Sequence, residues 1–341
     1  MEFIKKELCR LERCYAVNEL TLNGVRWALA ATEDPGPCWA FSGKSFENRM
    51  KIWDGPGGTM TFVPLSGTDG EFLSIEKFYR IYQWEEAGIS WAWPENGSFR
   101  LKSLLTLPYI HRFDVLETPA GSFFIGCTLA VKKDSVSDWS TPGSIYVGRV
   151  DKAAREIRDL RVLKGDVYKN HGYLRTGAPS APAALIGSRE GILRVTPPMS
   201  PEGDWQTERF AGFPVSDMAL CDIDGDGEEE LAVIEPFHGC KFRIYKKNAA
   251  GWKRVFEHPE TCEFYHVIWG GTLNGTPAFI AGGRRGTRSL SVITCSGGEY
   301  RVQTLDSGQG PSNVHVMHRA EGDVIIAANM EVGEVAAYFV K

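Results

Sequence analysis

The chain has 341 residues, 43% of them hydrophobic and 24% charged, the make-up of a folded globular protein rather than a disordered or fibrous one. Its 43 acidic and 38 basic residues give a formal charge of −5 with no basic run or stripe, which argues against nucleic acid or an anionic membrane as partner. No stretch approaches the ~20 apolar residues of a membrane span, and the N-terminal MEFIKKELCRLER lacks the apolar core of a signal peptide, so a soluble cytoplasmic protein is expected.

Taken in order, the first element is a strand at Phe3–Leu11, FIKKELCRL, with no obvious partner nearby in sequence. A turn followed by a small or aliphatic run then recurs along the chain. Leu22-Asn23-Gly24 precedes VRWALAA, Thr68-Asp69-Gly70 precedes EFLSIE, and Pro119-Ala120-Gly121 precedes SFFIGCTLA. A degraded copy lies at Ala178–Ala181 before PAALIGS, followed by Asp226-Gly227 before EEELAVI, Asn274-Gly275 before TPAFIAGG and Glu321-Gly322 before DVIIAAN. The period is about 50 residues, within the range of propeller repeats. Asn-Gly and Asp-Gly suit two-residue hairpins because both positions accept positive φ. Each turn therefore joins an inner strand to a fully buried second one, and alternating runs such as KFRIYKK and WKRVFEH supply two outer strands.

Four antiparallel strands make one propeller blade, and seven turns predict an all-β, seven-bladed β-propeller. The blades fall at roughly 13–58, 59–108, 109–167, 168–214, 215–263, 264–311 and 312–341, the last completed by residues 1–12. Closing the ring in this way removes the exposed strand edges of an open stack. Helical composition is confined to Lys152–Asp159, KAAREIRD, expected as a short helix in the outer hairpin of the third blade. The same blade carries an insertion at Lys132–Gly143, KKDSVSDWSTPG, and the aromatic run Phe78–Trp93 is expected to pack between blades. The eight cysteines (9, 14, 38, 127, 221, 240, 262 and 295) form no C-x-x-C pair and are expected as reduced, mostly buried thiols.

In the fifth blade, Asp222, Asp224 and Asp226 alternate along a glycine turn, DIDGDG, a spacing that can gather oxygen ligands around Ca²⁺ with Glu228 or Glu230 completing the shell. The competing reading is a solvated turn whose aspartates cap their own backbone. The stretch Asp217–Lys247, with DIDGDG followed by EEELAVI, resembles the FG-GAP and VCBS repeats of bacterial and integrin-type propellers. That resemblance implies a propeller and a calcium-binding turn. It leaves function open, because such propellers include lyases, adhesion proteins and many uncharacterised chains.

The histidines carry the sharper pattern. Of seven, four stand at the start of an inner strand: His111, His171, His266 and His315. In a propeller these starts share one face around the central channel, so the four imidazoles are expected to converge as ligands for a divalent Zn, Mn or Fe ion. The loops between second and third strands reach the same face. They bring candidate catalytic residues His238, Arg284, Arg285 and Glu331, and candidate substrate contacts Glu235, Asp138 and Trp139. Asn170 and Asn313 lie beside two of the histidines and are expected to line the mouth as further substrate contacts. No G-x-S-x-G elbow, Walker loop or H-E-x-x-H zinc motif occurs. The expected function is a lyase or dehydratase acting on a carbohydrate or uronate at this mouth, by analogy with polysaccharide lyases and sugar dehydratases on similar propellers. The alternative is a non-catalytic propeller that binds a ligand or protein, with calcium as a structural ion.

Overall fold

The computed structural model describes residues 1–79, 84–135 and 137–341. Strand β1 (Phe3–Arg10) opens the chain, and the first blade follows as β2 (Cys14–Leu22), β3 (Val25–Thr32), β4 (Cys38–Ser42) and β5 (Asn48–Trp53). The second is β6 (Phe62–Pro64), β7 (Phe72–Glu76), β8 (Gly88–Glu95) and β9 (Ser98–Thr106). The third is β10 (Ile110–Thr118), β11 (Gly121–Thr128), β12 (Gly143–Asp151) and β13 (Glu156–Val167). The fourth is β14 (Gly172–Ala178), β15 (Ala181–Ser188), β16 (Gly191–Thr196) and β17 (Gln206–Ala211). The fifth is β18 (Asp217–Cys221), β19 (Glu230–Glu235), β20 (Lys241–Asn248) and β21 (Gly251–Glu257). The sixth is β22 (Tyr265–Leu273), β23 (Thr276–Gly283), β24 (Leu290–Ser296) and β25 (Glu299–Asp306). The seventh contains β26 (Asn313–Met317), β27 (Val324–Asn329) and β28 (Glu334–Val340). Each blade is a four-stranded antiparallel sheet, and β1 is the outer strand of the seventh, giving the order β1-β28-β27-β26.

The hairpins follow from turn chemistry. Asn23 and Gly24 take φ of 50° and 71°, and Asn274 and Gly275 take 46° and 78°, which matches the right-handed twist of the strands they join. The second strands are largely buried because blades cover both of their faces; every residue of β19 and β27 is buried. The core is consequently a ring of inter-blade layers, such as Phe242, Tyr265 and Phe279 between the fifth and sixth blades. Burying one such ring contributes on the order of 2–3 kcal/mol.

Ring closure runs from the Phe3–Val340 pair to the Arg10–Glu334 pair. Lys5 Nζ reinforces it, lying 2.8 Å from Glu334 and 2.9 Å from Asp306. The expected helix at Lys152–Asp159 is a turn entering β13 instead. Asp151 accepts the N–H of Ala154 at 2.9 Å, and Arg155 takes φ of 52°, which ends any helical course. The described part of Phe78–Trp93 packs as expected: Phe78, Trp84 and Trp91 are buried in one layer, while residues 80–83 lie outside the described residues. All eight cysteines are free, six of them buried. Among the described residues no helix is long and apolar enough to cross a membrane.

Candidate functional site

Three inner strands carry a bulge at the same place. Pairing skips from Cys14 to Ala16 in β2, from Ile110 to Arg112 in β10, and from Tyr265 to Val267 in β22. The extra residues are Tyr15, His111 and His266. A bulged residue is released from the alternation of the strand and can be re-aimed, here toward the channel axis. His171 arrives one residue before β14, its N–H donating to the carbonyl of Gly187 at 3.2 Å. His238 comes from the loop between β19 and β20 in a left-handed conformation, φ 48°, and stacks on Phe237 with ring centroids 3.9 Å apart.

These side chains meet. Tyr15 Oη lies 3.3 Å from His266 Nε2 and 3.4 Å from His111 Nε2. Ring centroids are 4.5 Å apart for His111 and His171, 4.9 Å for His171 and His238, and 5.8 Å for His171 and His266. Main-chain carbonyls of the next blade fix two tautomers: Nδ1 of His171 donates to Ser216 O at 3.1 Å, and Nδ1 of His266 to Ser312 O at 2.5 Å. A carbonyl only accepts, so both rings keep a lone pair on Nε2. The phenol of Tyr15 can donate to His266 and accept from Nε2–H of His111. That arrangement leaves two lone pairs without partners, Nδ1 of His111 and Nε2 of His171, both buried.

Burial and neighbouring cations hold the cluster neutral. His111, His171 and His266 are pushed well below the usual imidazole range, first by desolvation and then by Arg112, Arg284 or one another. His238 is lowered to about 3 by burial and by Arg284, Lys133, Lys169 and Arg285. Below the cluster, Arg112 Nη2 stands 3.9 Å from Asp217 Oδ2, and burial raises that carboxyl to about 6. The two line a channel cavity of about 320 Å³ together with Asn18, Trp269 and Asn313.

The expected site residues divide. His111, His171, His238 and His266 are brought together; His315 is not. Strand β26 pairs without a bulge, and His315 sits two residues beyond Asn313, further along the channel wall. Its Nε2 is 3.5 Å from Glu19, in a cavity of about 790 Å³ that also holds Asp114, Tyr173 and Arg175. Arg284 reaches the mouth already paired, 2.9 and 3.2 Å from Glu331 Oε1. Arg285 is exposed, 5.6 Å from the centre of the Phe264 ring. Trp139 packs on Phe237 at 4.5 Å and lies 6.0 Å from His238.

Four other expected contacts hold structure. Glu235 is bound by Arg243 and Tyr245, each at 2.7 Å. Asp138 accepts the N–H groups of Asp134 and Ser140 within its own loop. Asn170 donates to Ser144 O at 3.1 Å, and Asn313 donates to Tyr15 O at 2.9 Å.

Sequence reasoning missed Tyr15 and Lys133. Tyr15 occupies in CYAVNEL the second-residue place that His266 holds in YHVIWGG, so the signal was positional and invisible to a search for histidine. Lys133 gave no signal beyond lying in the third-blade insertion.

The two expected metal sites differ in how far their donor atoms gather. Among the described residues, His111, His171 and His266 do not bring one donor atom each within 4.8 Å of one another; the acidic trio Asp222, Asp224 and Asp226 does. In that trio, however, Lys246 Nζ lies 2.5 Å from Asp224, 2.7 Å from Asp226 and 2.9 Å from Glu230. Both oxygens of Asp222 accept main-chain N–H groups from Gly225, Asp226 and Gly227. In this structure a lysine ammonium and the loop's own amides neutralise and bind the three carboxylates.

No protein-family model matches the chain, and no curated protein is similar enough in sequence to count as a relative. Among solved structures the chain is similar to virginiamycin B lyase from Staphylococcus aureus, with a TM-score of 0.61 at 13% identity over 100% of both chains. A catalytically inactive histidine-to-alanine variant of that lyase, solved with Quinupristin, gives 0.58 at 13%, again over 100% of both chains. The Swd1 propeller domain of Myceliophteria thermophila gives 0.61 at 12% over 99% of this chain and 100% of that one. At these identities the likeness shows a shared seven-bladed propeller architecture and no more.

Proposed function

We propose that the mouth formed by Tyr15, His111, His171, His238 and His266 is the acid–base centre of a lyase acting on a carboxylate-bearing carbohydrate such as a uronate. The observation that carries this reading is the convergence of four neutral imidazoles and one phenol beneath a rim of cations. Lone pairs on neutral imidazole can take a proton, and Arg285, Lys133 and Lys169 can hold an anion.

His238 is the imidazole nearest solvent and meets the substrate first; His111, His171 and His266 are 4%, 2% and 5% exposed and stand behind it. A base held near pKa 3 is weak. An arriving carboxylate offsets the surrounding cations and raises the proton affinity of the ring, so the site gains basicity as its substrate binds. His238 takes the proton from the carbon beside the carboxylate, that electron pair forms the double bond, and the β-oxygen leaves with the proton returned by the imidazolium. The reaction is a β-elimination with no net redox change.

The likeness to virginiamycin B lyase, whose histidine-to-alanine variant is catalytically inactive, is compatible with this reading at the level of fold. The DIDGDG turn likewise supports placing the fifth blade with FG-GAP-like repeats, on that motif alone. A second reading, a binding scaffold, is favoured by the depth at which three of the imidazoles lie. Polygalacturonate and alginate distinguish the two. A lyase produces a conjugated carboxylate that absorbs in the ultraviolet, and no product from either polymer would favour the scaffold.

A further inference from the structure

Lys133 has no task in the proton transfers just described, yet its surroundings are unusual for a lysine. The residue is 9% exposed, and its Nζ has no hydrogen-bond partner among the described residues. Two indoles approach the ammonium, with ring centroids 3.1 Å away for Trp139 and 5.4 Å for Trp84. Its main chain is held: the Lys133 N–H donates to Tyr109 Oη at 3.2 Å, and that hydroxyl donates to Glu85 at 2.6 Å.

The π faces offset part of the cost of a buried ammonium, but they leave its N–H groups without acceptors. An anion would supply them. Of the other cations of the mouth, Arg284 is engaged by Glu331 and Arg112 by Asp217 and the carbonyl of Met60. Beside Lys133, the half-buried rings of Trp139 and Phe237 pack edge to face with centroids 4.5 Å apart, and the positive charge of Lys133 acts on His238.

We propose that Lys133 anchors the carboxylate of the ligand, whose planar carbon face lies on Trp139 and Phe237, so that the mouth selects organic carboxylates over uncharged analogues. The location rests on the acid–base reading, but the binding does not require turnover. It also explains how the substrate activates its base, since a carboxylate on Lys133 cancels one of the charges that keep His238 a weak base.

The groups facing Lys133 set its pH dependence. Burial lowers its proton affinity, Asp138 opposes that and Lys169 adds to it, leaving the ammonium near pKa 8. Tyr109, with Glu85 and Asp134 beside it, is raised to about 12, Asp138 is held at about 2 and His238 at about 3. None of these last three changes charge between about pH 6 and 10.

The probe is benzoate, with benzamide as its uncharged analogue, bound to the full chain and followed by calorimetry and tryptophan fluorescence. Benzoate is expected to bind about tenfold or more tighter than benzamide, with its affinity falling as pH rises through about 8. Lys133→Gln should lose that advantage without weakening benzamide. Lys133→Arg should keep it and remain bound above about pH 9, where the wild type fails. Equal binding of the two probes by the wild type, a flat pH profile up to about 10, or undiminished benzoate binding by Lys133→Gln would overturn the proposal. Should Lys133→Gln fail to fold, the wild-type profile and Lys133→Arg decide. Lys133-dependent benzoate binding without lyase activity leaves the anchor standing and removes the lyase. Lyase activity unchanged in a folded Lys133→Gln removes the anchor alone.

Discussion

The hydroxyl of Tyr15 lies 3.3 Å from Nε2 of His266, and each of these residues is the extra residue of a bulge at the start of its inner strand, in the first and sixth blades. His111 enters by the same device from the third blade. Three separate departures from regular pairing deliver three polar side chains to one point on the axis. Bulges cost ladder hydrogen bonds, and their placement here gathers polar groups that would otherwise face blade cores.

Removing the hydroxyl tests that relationship. Tyr15→Phe keeps the ring but leaves His266 Nε2 and His111 Nε2 buried without their shared partner. The expected loss is about 1–3 kcal/mol of stability in urea unfolding, with reduced turnover on any substrate found. Unchanged stability and rate would mean that the 3.3–3.4 Å contacts do not act as hydrogen bonds.

The neutral histidines make the fold sensitive to acid, and the sign follows from proton counting. In the unfolded chain these groups bind protons near pH 6.5, whereas in the folded chain burial holds His111, His171 and His266 well below that value and His238 near 3. The unfolded state therefore binds more protons below about pH 6.5, and stability falls as pH drops, by up to about 1.4 kcal/mol per pH unit for each fully buried ring. Asp217, raised to about 6, and Glu76, raised by burial to about 8, act in the opposite sense between their unfolded values and those points, and offset two of the four histidines. The urea midpoint at pH 5 should lie clearly below that at pH 7.5, with a shallower dependence in His171→Phe. A midpoint independent of pH would contradict the neutral cluster.

Ring closure by β1 makes the N-terminal residues a global determinant of stability. Deleting residues 1–12 removes the pairing with β28, the buried Cys9 and Leu11, and the Lys5 contacts with Glu334 and Asp306. It also exposes β28 as an open edge. A fall in Tm on the order of 10 °C with a tendency to aggregate is expected. Thermal unfolding unchanged by the truncation would refute closure.

At the acidic turn, Lys246 supplies the positive charge that a calcium ion would otherwise bring. Millimolar Ca²⁺ is therefore expected to leave the Tm of the wild type unchanged. Lys246→Ala leaves Asp224, Asp226 and the buried Glu230 without that cation, and Ca²⁺ should then become stabilising by mass action. Calcium stabilisation of the wild type would show that the lysine gives way to the ion.

The fold was legible because its signals are local and repeated. Asn-Gly turns, second strands rich in small and aliphatic residues and a period near 50 each report the blade directly. The site was half legible. Inner-strand starts pointed to His111, His171 and His266, but the same rule included His315, because a regular strand and a bulged one look alike in sequence. Tyr15 escaped for the complementary reason: its position was informative while its residue type was not among those sought. Glu235 ends the buried strand β19 at the mouth like a site residue, yet Arg243 and Tyr245 on the neighbouring strand β20 claim it. Pairing across strands of this kind is set by register, which composition does not reveal. Lys133 became visible only once two indoles and an absent partner were seen around it.

The most direct measurement is the rate of ultraviolet-absorbing product formed from polygalacturonate and alginate by the wild type and by folded His238→Ala. The wild type should form the conjugated carboxylate, and His238→Ala should lose on the order of 100-fold or more in kcat with KM little changed, as removal of a general base requires. A His238→Ala protein that turns over the same substrate at the wild-type rate would contradict the assignment of this mouth as an acid–base centre.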